Sequence, residues 1–248
     1  MTLGQALLLS AASVGAGVVN ALAGGGTLLT FPALLGIGVS PVAANATNTL
    51  ALWPGQLSGA IAYRRHLGEE RRTAKAMILP SILGGIGGTF LVLFLPEKSF
   101  ALAVPWLILF ACLLLAFQDL VKKALGRVPG SDHPAALWLA QAAISVYGGY
   151  FGAGMGILML ASMGILHRCS TQHANALKVL LSFLVNGISA LCFLAFGAAR
   201  VPIALLMALG ATLGGWLGAR LAQRLPPLGM RAVAIAVGVY AAGKMLLG

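Results

Sequence analysis

The stretch Asn20–Pro32, NALAGGGTLLTFP, sets three consecutive glycines between two apolar runs, flanked by Asn20 and Thr27. In a water-soluble chain such glycines read as a phosphate-cradling turn. In a lipid-spanning chain they read as a helix broken at membrane depth. Composition decides between the two. Of 248 residues, 59% are hydrophobic and 8% charged, and mean hydropathy is +0.95. Soluble domains carry about a quarter charged residues, so this chain cannot clothe a water-facing surface. Apolar runs of about twenty residues, the length that crosses the hydrocarbon core, recur along almost the whole sequence. The fold class is all-α polytopic membrane protein, and the glycines interrupt a helix inside the bilayer.

The net charge of +11 falls in short loops between apolar runs, where cytoplasmic loops collect Lys and Arg. No basic patch with interleaved aromatics exists, so no nucleic acid is expected as a partner. Cys112, Cys169 and Cys192 are odd in number and show no metal-ligand spacing; they read as small apolar packing residues, with no metal and no cofactor expected. The first run ends in ALAG, which resembles a signal-peptidase site. It lacks a basic leading region, and a related segment recurs inside the chain, so it reads as a retained helix.

Shifted by 130, the sequence matches itself without a gap. AGGGTL at 23–28 falls on AGMGIL at 153–158, ANA at 44–46 on ANA at 174–176, and LGGIGG at 83–88 on LGGWLG at 213–218. From Ala23 to Pro96, 20 of 74 positions are identical to their partners. Rare residues such as Asn and Pro match too, which composition bias does not explain. This is an internal duplication of the kind that builds transporters: a first transmembrane repeat over 1–125 and a second over 135–248. Each shows five apolar segments, about 2–23, 27–39, 41–63, 76–95 and 99–121, then 135–153, 157–166, 174–196, 201–225 and 228–247. The second segment of each is short enough for a broken helix.

Loop charges arbitrate the topology. If the short segments cross, twelve Lys and Arg lie inside and Lys98, Arg200 and Lys244 outside; if they do not, the split is ten to five. The positive-inside rule favours crossing, hence two inverted-topology repeats with short broken helices at their interface and both termini outside.

At each break, glycine tolerates backbone angles that other residues avoid, and a short helix start offers N–H groups and the positive dipole end to an anion. The candidate substrate-binding residues at the breaks are Asn20, Gly24, Gly25, Gly26 and Thr27, with Gly154 and Gly156 in the second repeat. The third segments add Asn45, Thr47, Asn48 and Gln56, and Asn175, Lys178 and Asn186. At offset 130, Asn45 pairs with Asn175, Asn48 with Lys178, and Gln56 with Asn186. Amides and hydroxyls are costly in lipid unless paired, so they face a neighbouring helix or a cavity. An intramembrane Lys is a functional-site candidate by default. The five acids, Glu69, Glu70, Glu97, Asp119 and Asp132, lie in loops or at segment ends, so Lys178 calls for an anionic ligand. His173 reads as an interfacial histidine, RRHLGEERRTAK as a solvated loop, and Gly84, Gly88, Gly210, Gly214 and Gly218 as close helix packing.

With these residues in hand, the chain resembles the TauE/SafE sulfite exporter family, also called the toluene-sulfonate uptake permease group. The resemblance rests on GAGVVNALAGGGTLLTFPALLGIGVSPVAANATN, its echo GGYFGAGMGILMLASMGILHRCSTQHANALK, and the LGGxxG segments, and covers essentially the full length. It implies a multi-pass permease of the cytoplasmic (inner) membrane moving sulfite, sulfonates such as sulfoacetate, or related small anions. Family members are described with about eight spans, against ten segments here, and Met155 departs from the glycine pattern. The expected partners are a small anionic substrate and the lipid bilayer; a homodimer is compatible with the architecture. An anion channel is the alternative. An intramembrane enzyme is disfavoured, because HExxH, GxSxG and intramembrane aspartates are all lacking.

Overall fold

A computed structural model describes residues 1–22, 25–62, 64–125, 133–221 and 227–247. Among these, every regular element is an α-helix: α1 (Leu3–Leu22), α2 (Thr27–Gly36), α3 (Pro41–Ala62), α4 (Arg64–Glu69), α5 (Arg71–Phe94), α6 (Glu97–Leu125), α7 (Pro134–Tyr150), α8 (Met155–Leu166), α9 (Thr171–Ala195), α10 (Val201–Leu221) and α11 (Pro227–Leu247). Leu3–Asn20, Arg71–Phe94, Glu97–Leu120 and Gln172–Ala195 are long and apolar enough to cross a membrane; α2 and α8 are shorter apolar helices. Three helix starts recur at the sequence offset: 41 and 171, 71 and 201, 97 and 227. The duplicated order has one departure, because α4 has no counterpart in the second half. The segment expected as a solvated loop thus holds a helical turn and the start of α5.

Helices α5, α7 and α9 run in one direction. Along α5 and α7, Ser81 accepts from Gln141 at 2.9 Å and Gly88 then meets Val146; along α5 and α9, Gly85 meets Val185 and the Thr89 and Ser189 hydroxyls then meet at 2.8 Å. At the starting end, the His133 N–H donates to Leu166 O at 3.0 Å. The end of α8 therefore lies beside the start of α7, so α8 carries the chain back past the whole of α7. Helices α1, α3 and α10 form a second parallel set: Ser13 meets Gly210, Ala16 and Leu52 cluster with Ala211, and the Arg200 N–H donates to Thr47 Oγ1 at 2.9 Å. Asn45, at the start of α3, donates to the carbonyl of Tyr150, at the end of α7, at 3.0 Å. The two parallel sets consequently run in opposite senses.

Glycine makes the tight contacts possible. A methyl group on Gly88 would stand 2.0 Å from Val146 O, and one on Gly214 the same distance from Val14 O. Backbones approach this closely only where no Cβ intervenes, and in lipid such packing is the main force between helices. These contacts join α5 to α7 and α10 to α1, each crossing from one sequence half to the other. Exposed Leu102, Trp106, Phe110, Leu113, Phe117 and Leu120 form one continuous apolar stripe on α6, as a lipid-facing helix requires.

Candidate substrate site between the glycine breaks

Between α1 and α2, and between α7 and α8, the chain reverses through glycine. Gly25 has φ +124°, Gly152 +77° and Gly154 +76°, a left-handed region that L side chains rarely enter. Gly24 lies outside the described residues. Met155 occupies the register of Gly25 but starts α8 with helical geometry; the left-handed angles have moved to Gly152 and Gly154. Both reversals rest on neighbouring leucines of α6. A Cβ on Gly25 would lie 3.2 Å from Leu115 Cδ2, and one on Gly154 3.1 Å from Leu114 Cδ1. Those leucines sit just past the middle of the 29-residue α6, so the breaks share one depth near the helix centre.

The polar residues of the first half lock onto one another. Asn20 Oδ1 accepts from the Gly25 N–H at 3.1 Å and the Gly26 N–H at 2.8 Å, so a neutral amide already takes two of the donors expected for an anion. Asn48, 3% exposed, donates to Thr27 Oγ1 at 3.2 Å and accepts from Thr30 Oγ1. Thr30, four residues after Gly26, was not among the expected site residues; a hydroxyl inside an apolar run was its only signal.

The second half is built differently at the matching positions. Lys178 Nζ donates to Asn175 Oδ1 at 3.0 Å, and its stem passes Gly156, whose Cβ would lie 3.2 Å from Lys178 Cδ. Ile157 and Leu160 stand where Thr27 and Thr30 stand. An ammonium group and the positive start of α8 are therefore side by side, which a bound anion would offset.

Between the halves, α3 and α9 meet at equivalent positions. Asn186 Nδ2 donates to Gln56 Oε1 at 3.2 Å, and Trp53 Nε1 to Phe183 O at 3.1 Å while the two rings stack. The remaining two expected residues are committed elsewhere. Thr47 is wholly buried and caps the start of α10, and Asn45 holds Tyr150 O. The site residues thus fall into three groups, Asn20–Thr27–Asn48, Asn175–Lys178–Gly156 and Gln56–Asn186, with Asn45 and Thr47 acting as joints around them.

Residues 9–245 match the family model described as "Sulfite exporter TauE/SafE". The chain is 28% identical over 234 residues to a "Probable membrane transporter protein" of Haemophilus influenzae, covering 93% of this chain and 90% of that relative. It is 30% identical over 217 residues to "Probable membrane transporter protein ORF9" of a Sinorhizobium species, covering 84% and 79%. With "Probable membrane transporter protein YfcA" of Escherichia coli K12 the figures are 28% over 235 residues, 93% and 86%. No solved structure matches the chain. With the family model spanning nearly the whole sequence, the chain belongs to the TauE/SafE sulfite exporter family.

Proposed function

We propose that this membrane transporter of the TauE/SafE family moves a small sulfur-bearing anion, sulfite or an organosulfonate, across the cytoplasmic membrane. It does so by alternating access around a mid-depth site between two inverted repeats, residues 1–125 and 135–248. The observation that carries the reading is the shared depth of the breaks, with Gly25 and Gly154 resting on Leu115 and Leu114. The oppositely running parallel sets and the Gln56–Asn186 pair at the crossing support it. Lys178 supplies the charge. It neutralises the anion beside the start of α8, while Asn175 orients the ammonium group.

The face that holds Arg71, Arg72, Lys75 and Arg168 is the cytoplasmic one under the positive-inside rule. There Arg71, Arg72 and Lys75 line an open basin of about 470 Å³, which raises the local concentration of anions at that mouth.

The test is binding and exchange by the purified full chain. Sulfite, sulfoacetate, taurine, sulfate and thiosulfate are screened by thermal shift, and the best ligand is used for counterflow in proteoliposomes. We expect a saturable anion that stabilises the protein and exchanges labelled for unlabelled substrate. Lys178→Ala loses that binding while keeping the elution profile of the parent. Unchanged affinity in Lys178→Ala, or flux without counterflow, overturns the reading; the second result makes the protein a channel.

A further inference from the structure

We propose that the face formed by the α4–α5 junction and the α8–α9 loop binds one divalent transition metal of the zinc class, with His167, Cys169 and Glu70 as ligands. One donor atom from each lies within 4.8 Å of the other two, and His167 Nε2 stands 3.0 Å from Glu70 Oε2. Around a tetrahedral zinc with bonds of about 2.0–2.3 Å, donor atoms are separated by about 3.3–3.8 Å. The observed spacing reaches that geometry with side-chain shifts of about 1 Å. A thiolate, an imidazole and a carboxylate together select a zinc-like ion over magnesium or calcium, which prefer oxygen ligands throughout.

The surroundings are those of a metal ligand set. His173 Nε2 pairs with Glu69 Oε2 at 2.8 Å, and its Nδ1 stands 3.6 Å from the second Glu70 oxygen, so a second imidazole borders the carboxylate. Thr73 Oγ1 lies 3.4 Å from His167 Nε2, on the same side. The Glu70 and His167 side chains are only 13% and 16% exposed.

The duplication supplies an internal control. At offset 130, His167 corresponds to Ile37, Cys169 to Val39, His173 to Ala43 and Glu70 to Arg200. The equivalent junction in the other half is thus assembled without any of the four. Their convergence is therefore specific to the face that carries α4, the one helix without a duplicate. A metal there joins the first sequence half to the second, tying α4 and α5 to the α8–α9 loop.

The experiment uses the full chain in detergent, with any affinity tag removed, in a Cys112→Ser/Cys192→Ser background that leaves Cys169 as the sole thiol. Cobalt(II) is titrated as a spectroscopic stand-in and zinc is then added in competition. One cobalt per chain with a thiolate-to-cobalt charge-transfer band, displaced by zinc, is expected. The band disappears in Cys169→Ser, and affinity falls at least tenfold in His167→Gln and in Glu70→Gln. Absence of the band in the folded parent overturns the proposal. So does a band whose affinity is the same in His167→Gln and Glu70→Gln, each checked for an unchanged elution profile.

Discussion

Gln56 and Asn186, exactly 130 residues apart, meet side chain to side chain, with Asn186 Nδ2 3.2 Å from Gln56 Oε1. A contact between duplicate positions of one unit places them at the crossing point of α3 and α9. Asn186→Leu should lower thermal stability by about 1 kcal/mol, the size of an interhelical hydrogen bond in lipid. The Gln56→Leu/Asn186→Leu pair should recover part of it, since no polar atom is then stranded. Transport should be lost in both, measured by uptake into proteoliposomes beside thermal unfolding.

Asn48 and Lys178 occupy the same register in the two halves but have different surroundings. Asn48 is buried between Thr27 and Thr30, so Asn48→Leu should cost stability, about 1–2 kcal/mol for the two lost amide bonds. Lys178→Met should leave the unfolding midpoint nearly unchanged and remove anion affinity. A double comparison of unfolding midpoint and ligand titration separates the two roles.

Gly87 and Gly88 are adjacent on α5 and oppositely placed. Nothing lies within 4 Å of a Cβ on Gly87, whereas one on Gly88 would strike Val146 O. Gly87→Ala should raise stability slightly, up to about 1 kcal/mol from helix propensity alone. Gly88→Ala should force α5 from α7 and lower stability by about 1–3 kcal/mol or prevent folding. Fluorescence-detected size exclusion of the two variants reads the difference.

Cys169 shares its face with Arg71, Arg72 and Lys75, while Cys112 is buried against Ile235 of α11. In a Cys192→Ser background with a metal chelator present, an impermeant maleimide should label Cys169 in inside-out vesicles and not in intact cells. Cys112 should stay unlabelled in both. Labelling of Cys169 in intact cells would place both termini and the charged loops on the opposite sides.

Much of the fold was legible because apolar length and duplication are both written in the linear sequence. The starts of α3, α6, α9 and α11 follow from where apolar runs resume after a proline, a threonine or a charged pair. The start of α5 at Arg71 was hidden, because charge made the segment read as loop although arginine is itself a good helix former. At the site, Asn48 and Lys178 stood out as polar residues in apolar helices. The capping of Gly25 and Gly26 by Asn20 did not, since a side chain's choice between backbone and ligand depends on a turn geometry no spacing encodes. The approach of Glu70 to His167 and Cys169 joins residues almost a hundred positions apart, and only the packing of α5 along α9 brings them together.

The exchange of outer helices between halves has a bearing on biogenesis. Helix α1 leaves the ribosome 179 residues ahead of the first residue of α10, its main packing partner, counted from Leu22 to Val201. It must wait in the lipid with Gly17 and the Ser10–Val14 edge bare until α10 has been inserted. The packing of α1 is therefore a late step of assembly, and a translation product truncated before α10 leaves its small-residue groove open to the lipid.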